Sequence, residues 1–173
     1  MAFKRIEDHG LIGNMHTAAL VGNDGSIDWL CLPFFDSPAV FNSILDDEKG
    51  GSFSISAVDS VDHRQIYFPE TNVLVTRFGS DHSAAQVTDF MPVHEEHEFG
   101  GDPWDDNSTE LCCSDSRVVR LVQGVLGKTD MRMECRPAFE FASTAHQVEK
   151  TSDGVVFTSD SGQRISLTAS CEF

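Results

Sequence analysis

Basic residues are scarce in this chain of 173 residues, which has 12 Lys and Arg against 28 Asp and Glu and a formal charge of -16. So negative a surface repels a phosphate backbone and an anionic bilayer, which makes nucleic acid and membranes poor candidate partners. Long apolar runs are also missing, since none approaches the roughly 20 residues of a membrane helix. The charge fits a solvated surface; a halotolerant host and a cationic partner are the other interpretations.

Paired cysteine motifs are absent as well. The five cysteines are odd in number and contain no Cys-x-x-Cys spacing. The amino terminus has basic residues but no apolar segment after them, so it does not resemble a secretory signal. We therefore expect reduced, mostly buried thiols in a cytoplasmic protein.

The sequence lacks the common catalytic and metal motifs. It has no Gly-x-Ser-x-Gly elbow, no phosphate-binding glycine loop and no dinucleotide fingerprint, so we expect no cofactor. His94-Glu95-Glu96-His97 places two imidazoles three residues apart, but the helix-borne zinc spacings and a third ligand are missing. The nearby acids Asp102, Asp105, Asp106 and Glu110 lack the glycine and spacing of an EF-hand. No specific metal site is predicted.

Turn formers are abundant near the amino terminus. Asn23-Asp24-Gly25 lies between two apolar stretches, residues 17–21 and 26–32, and this arrangement predicts a β-hairpin. After it, Ser37 and Pro38 fit the cap and the first position of a short helix over residues 38–45. We expect two helical turns there.

Elsewhere the apolar residues alternate with polar ones, which is typical of strands with one buried face. Gly10-Leu11-Ile12-Gly13 is interpreted only as a turn signal, and Trp29 as a core residue. Residues 93–116 are rich in acids and glycine and are predicted to form a long surface loop. The predicted strands are residues 52–56, a pair at 71–78 and 83–90, a second pair at 117–123 and 128–136, and a meander at 146–150, 154–159 and 164–169. The fold class is therefore all-β: one antiparallel β-sandwich domain over residues 1–173, with a short helix after the first hairpin.

An ordered series of short motifs runs along most of the chain. Through these motifs the chain resembles the amino-terminal domain of glycoside hydrolase family 15, which includes trehalase-like and glucoamylase-like enzymes. The motifs are Leu11-Ile12-Gly13-Asn14, Thr17-Ala18-Ala19-Leu20-Val21, Gly25-Ser26-Ile27-Asp28-Trp29-Leu30-Cys31, Phe35-Asp36-Ser37-Pro38, Phe41, the stretch from Leu45 to Gly51, Pro69-Glu70-Thr71-Asn72-Val73-Leu74, Asp89-Phe90-Met91-Pro92, Arg117-Val118-Val119-Arg120 and, more loosely, Arg136-Pro137-Ala138-Phe139-Glu140-Phe141.

The resemblance implies a β-sandwich of the super-sandwich type, followed in family members by an (α/α)6 barrel that carries the two catalytic glutamates. Twelve helices with their loops need about 200 residues, so this chain is too short to include the barrel. We expect a non-catalytic accessory domain whose parent cleaves an α-glucosidic bond, in trehalose or a maltose- or dextran-type sugar, with inversion. Its expected partners are the catalytic barrel and a glucose-containing oligosaccharide.

Residues 33–38 supply the candidate site residues, namely Phe34, Phe35, Asp36 and Ser37 at the edge of the parent's substrate pocket. The other interpretation is a purely structural loop, in which Asp36 forms a turn or caps the next element. Relatives commonly have Arg where Phe34 stands, and this departure puts any arginine role in doubt.

Three further expectations concern single residues and other functions. Trp104 is a candidate for stacking on a sugar, although a partner domain or no ligand at all fits its loop context equally. Asp28 is expected to be structural, for example by bonding turn amides. The alternative functions are an independent carbohydrate-binding module and an oligomerisation or scaffold domain, and an unpaired strand edge would favour self-association.

Overall fold

Antiparallel strands make up most of the computed structural model, which describes residues 4–59, 62–93 and 116–170. The strands of these ranges are β1 (His9–Gly13), β2 (Ala18–Gly22), β3 (Ser26–Cys31), β4 (Ala39–Phe41), β5 (Ser52–Ala57), β6 (Asp62–Tyr67), β7 (Leu74–Gly79), β8 (Ala84–Phe90), β9 (Val119–Leu126), β10 (Met131–Arg136), β11 (His146–Lys150), β12 (Gly154–Ser159) and β13 (Arg164–Thr168). A 3-10 turn covers Ile6–Asp8, and α1, which covers Phe139–Ala142, is a single helical turn in which Glu140, Phe141 and Ala142 have left-handed φ values of 51°, 57° and 62°. None of the described helices is long and apolar enough to cross a membrane.

The strands form three sheets. Sheet A has the order β1-β2-β3-β5-β10, with β4 also paired to β3, sheet B has the order β6-β7-β8-β9, and sheet C has the order β11-β12-β13. Sheets A and B enclose a common apolar core, in which Ile27 and Phe53 of sheet A meet Leu74, Phe78 and Val87 of sheet B. The predicted all-β antiparallel sandwich is therefore confirmed.

The predicted hairpin is present, with β2 and β3 joined at residues 23–25. Gly25 has a φ of +84°, which side chains other than glycine rarely adopt, and a Cβ there would lie 2.2 Å from the carbonyl oxygen of Ile55. The turn therefore requires glycine both for its backbone angle and for its approach to β5.

Most of the alternating segments form strands where they were predicted. In β5, Phe53 and Ile55 are buried and their neighbours are less so. Strands β7 and β8 pair as expected, and β11, β12 and β13 form the predicted closing meander. The period of two located β5, β7 and β8 because alternate side chains of each strand are buried, whereas β11 is exposed along almost its whole length.

The helix predicted over residues 38–45 is wrong. Residues 39–41 form the short strand β4, whose Phe41 is opposite Leu30 of β3, and residues 43–45 form a turn. All three side chains of β4 are buried. Pairing with β3 and burial on more than one side favour the strand over the helical pattern of the same residues. The four-residue helix of the described chain lies instead at residues 139–142.

Two further local predictions are wrong. Residues 9–13, interpreted as a turn signal, form edge strand β1, which pairs with β2 along its whole length. Strands β9 and β10 were expected to pair with each other, but β9 pairs with β8 in sheet B and β10 pairs with β5 in sheet A. Arg120 of β9 explains part of this choice, because its guanidinium bonds to Asp89 on β8.

The ion pair between Arg120 and Asp89 connects sheet B to sheet A. Arg120 Nε donates to Asp89 Oδ1 at 2.8 Å, and both side chains are almost fully buried. The same guanidinium donates to the carbonyl oxygens of Phe53 (2.7 Å) and Gly25 (2.6 Å) in sheet A, and it lies 4.7 Å from the centre of the Phe53 ring. One buried cation thus fixes sheet B against the first hairpin.

Candidate functional site

The loop that carries the predicted site residues, residues 32–38, joins β3 to β4 at one end of sheet A. It begins with a cis peptide bond between Leu32 and Pro33. Hydrogen bonds reach it from distant parts of the chain: Gln163 Nε2 donates to the Leu32 carbonyl at 3.1 Å, and Ser116 Oγ donates to the Pro33 carbonyl at 3.3 Å. The base of the loop is therefore held by residues of sheet C and of the segment before β9.

Phe34 and Ser37 close the loop on itself. The Phe34 N–H donates to Ser37 Oγ at 3.1 Å, and the Ser37 N–H donates to the Phe34 carbonyl at 3.1 Å. The Phe34 ring is half-buried and meets the His16 ring edge to face, with 6.1 Å between their centres. Phe34 and Ser37 are thus anchoring residues in this arrangement, and Ser37, not Asp36, accepts the turn hydrogen bond.

Phe35 and Asp36 form the tip of the loop. The Phe35 N–H donates to the His16 carbonyl at 3.0 Å, but its side chain is 64% exposed. Asp36 is also exposed, and its carboxylate accepts no hydrogen bond from any residue in the described ranges. An aromatic ring and a carboxylate therefore project together from a braced backbone, which is a pairing that can contact a sugar or another domain.

Trp29, expected in the core, lies outside it. A register shift between Leu20 and Val21 leaves Ile27 and Leu30 in the core, while Trp29 pairs with Leu20 and remains half-buried. Its ring is 6.2 Å from that of Phe141. Simple alternation could not reveal the bulge, because the extra residue changes which positions share a face.

Asp28 is structural, as predicted, although its carboxylate bonds side chains and not turn amides. Asp28 Oδ2 lies 2.8 Å from Lys4 Nζ and 3.1 Å from His9 Nε2, and Oδ1 accepts from Ser43 Oγ at 3.0 Å. Lys4 Nζ also lies 2.8 Å from Asp24 and bonds to Ser26 Oγ in the same cluster. Sequence reasoning missed Lys4 and His9, since nothing local links them to a strand that follows about 20 residues later.

The two carboxylates of this cluster are a candidate acid pair, but their environment does not suit acid catalysis. Burial alone would raise the pKa of Asp24 and of Asp28, but the hydrogen bonds and charge of Lys4 hold both below the ordinary value. Burial would lower the pKa of Lys4, and the same two carboxylates raise it. A glycosidase needs one carboxyl group that stays protonated. The ammonium group of Lys4 holds both carboxylates ionised, which indicates that the ion-paired cluster of Lys4, Asp24 and Asp28 has a structural role.

The remaining candidate, Trp104, lies outside the described residues, as do His94, His97 and most of the acidic segment 93–116. Within the described ranges, no group of three or more His, Cys, Asp or Glu side chains is placed to hold a metal ion. The described part of the chain thus contains two candidate features, the loop at residues 32–38 with its fixed backbone and the ion-paired cluster of Lys4, Asp24 and Asp28.

Comparison with known proteins identifies the family. A sequence model described as "Trehalase-like, N-terminal" matches residues 2–101. The chain belongs to the trehalase-like N-terminal family. It is 38% identical to a trehalase of Thermoplasma volcanium over 174 residues, which cover 99% of this chain and 25% of that protein. The alignment with a trehalase of Mycolicibacterium smegmatis gives 29% identity over 86% of this chain and 22% of that protein.

A third relative aligns over fewer residues but with a higher sequence identity. Trehalase 1 of Sulfolobus acidocaldarius is 46% identical over 86 residues, which cover half of this chain and 15% of that protein. The chain thus spans about a quarter or less of the length of these relatives. No solved structure matches the chain.

Proposed function

We propose that the chain is the non-catalytic N-terminal accessory domain of a hydrolase of the glycoside hydrolase family 15 type that acts on an α-glucosidic bond such as that of trehalose. The observation that carries this proposal is the match of nearly the whole chain to only a quarter of a trehalase. The bond-breaking carboxyl groups then belong to the rest of the parent, an (α/α)6 barrel that inverts the anomeric centre. The barrel is the proposed partner, and the cytoplasm the proposed location.

The loop at residues 32–38 is the proposed contribution of this domain to the parent's substrate pocket. Its backbone is fixed by Gln163, Ser116 and His16, while Phe35 and Asp36 are free to meet another surface. A fixed backbone lets an exposed side chain contribute contact area at little entropic cost. We propose that the Phe35 ring walls the pocket and that Asp36 accepts a hydrogen bond there.

Substitution of Phe35 in the full-length parent tests this role. Phe35→Ala should lower kcat/KM for trehalose by about tenfold, the loss expected when one aromatic contact to substrate is removed. The thermal midpoint should hardly change, since the ring is exposed. Leu45→Ala, at another exposed apolar residue 63% accessible, is the matched control and should leave kcat/KM unaltered. Equal kcat/KM values for the two variants would show that the loop does not reach the pocket.

Exposure of Phe35 beside Asp36 also favours a second candidate function, an independent carbohydrate-binding module. Such a module would bind glucans without the rest of the parent. Titration of the chain with maltooligosaccharides separates the two functions, because a domain that acts only by packing shows no saturable binding. Saturation that disappears in Phe35→Ala would favour the module.

A further inference from the structure

A cleft on the outer face of sheet B is not used by the proposed function. Its volume is about 460 Å³, and it lies over β6, β7 and β8 on the side away from the core. Small-molecule sites in proteins are apolar clefts of roughly 300–1,000 Å³ with a few polar groups that converge on the ligand. The cleft has that size, and both charged and apolar side chains line it.

Two arginines lie side by side along this cleft. Arg64 of β6 is directly opposite Arg77 of β7 in the antiparallel register, and both side chains are exposed. Like charges placed opposite each other across two strands repel and destabilise the sheet. The chain has 28 acidic residues against 12 basic ones, so a cationic pair without an acid between its members needs a reason.

The arginine pair is not neutralised within the described residues. Arg64 makes no ion pair there, and the contact of Arg77 is with a neutral amide, since its Nη2 donates to Gln86 Oε1 at 3.4 Å. Gln86 is held in turn, because its Nε2 donates to Gln123 Oε1 at 3.0 Å. The two amides orient Arg77 without cancelling its charge. Two guanidinium groups therefore remain available to an oxyanion, which they bind bidentately.

Apolar side chains form the floor of the cleft beside the arginines. Ile66 is 60% exposed and Phe68 is 52% exposed, and Val75 of β7 lies directly opposite Ile66. The Tyr67 ring also lines the cleft and is fixed, because its hydroxyl accepts from the Leu11 N–H at 2.7 Å and donates to the Leu11 carbonyl at 2.9 Å. Rigid aromatic and aliphatic surfaces of this kind pack against the flat face of a ring.

We propose that this cleft binds a small ligand in which an oxyanion is joined to a ring with apolar faces, the class to which sugar phosphates belong. The phosphate lies between Arg64 and Arg77, and the ring lies on Ile66 and Phe68. Ligand binding neutralises the facing charges, which accounts for their juxtaposition. The inference is independent of the proposed accessory role, since it concerns the opposite side of sheet B from the core and none of residues 32–38.

Calorimetric titration of the whole chain with glucose 6-phosphate tests the proposal. At low salt we expect saturation at submillimolar ligand, at least about tenfold weaker binding in the double variant R64A/R77A, and no saturation by neutral glucose. The double variant should remain folded, because both side chains are exposed and their repulsion is removed. The control K128A/R132A removes the same charge from exposed positions outside the cleft and should change the affinity by less than about twofold.

Three results would overturn the proposal. The first is the absence of saturation by glucose 6-phosphate at about 10 mM, far above the expected range. The second is equal affinity in R64A/R77A and the unaltered chain, which would place the anion elsewhere. The third is binding of inorganic phosphate as tight as that of glucose 6-phosphate, which would leave an adventitious anion only and exclude a role for the apolar floor.

Discussion

Removal of one partner from the buried Arg120–Asp89 pair should strongly destabilise the fold. The carboxylate is fully buried, and the guanidinium donates to it at 2.8 and 3.2 Å. Asp89→Asn leaves a buried cation, and Arg120→Met leaves a buried anion. An uncompensated buried charge typically costs about 3–5 kcal/mol. Each single variant should therefore lose roughly that much of an unfolding free energy of about 5–15 kcal/mol.

The double variant D89N/R120M provides the decisive comparison. It contains no buried charge, so its remaining cost comes from the carbonyl groups of Phe53 and Gly25, which lose their donor at about 1–3 kcal/mol each. We expect the double variant to lose at least about 2 kcal/mol less than the sum of the single variants.

Urea unfolding followed by circular dichroism measures these differences from the midpoint and slope of each curve. The exposed pair Arg136–Glu134, at 3.0 Å, is the matched control, and E134Q should cost less than about 1 kcal/mol. If a single variant fails to fold, recovery of a cooperative transition in the double variant supports the same conclusion. Losses that add to within about 0.5 kcal/mol would refute the coupling.

Two other predictions concern the first hairpin and the ion-paired cluster around Asp28. Gly25→Ala should destabilise the fold by several kcal/mol more than Gly162→Ala. Both glycines have positive φ, but a Cβ at residue 25 meets a backbone oxygen at 2.2 Å and one at residue 162 meets nothing within 4 Å; equal urea midpoints would contradict this. Separately, the lowered pKa of Asp28 contributes stability that is present at neutral pH and is lost as the pH falls below about 4. Lys4→Met removes the charge that lowers this pKa, so the stability difference between about pH 7 and pH 3 should shrink relative to the unaltered chain, with His9 left in place. Parallel curves for the two proteins would show that Lys4 does not hold the carboxylate.

Several of the elements found from sequence share one physical property, a face that is buried along the strand. Residues 52–57 and 74–79 show the period of two because every second side chain enters the core. The turn at residues 23–25 was found because its backbone angles restrict the residue types. Local chemistry was sufficient in these cases.

The failures depend on contacts between distant residues. The partner of β10 is β5, about 80 residues earlier, and no local pattern specifies that choice. Strand β4 has a helical pattern that pairing with β3 overrides. At the candidate site the sequence identified residues 34–37 through family resemblance, but the bracing of their backbone by Gln163 and Ser116 required the fold. The Arg64–Arg77 pair likewise depends on strand register.

Glucose release from trehalose by the isolated chain distinguishes a non-catalytic domain from a catalytic one, with the full-length parent as the positive control. We predict turnover by the parent and none above the buffer blank for the chain of 173 residues, because the bond-breaking carboxyl groups are proposed to lie in the rest of the parent. Measurable, protein-dependent hydrolysis by the isolated chain, abolished by substitution of an acid within it, would show that the bond-breaking groups lie in this chain.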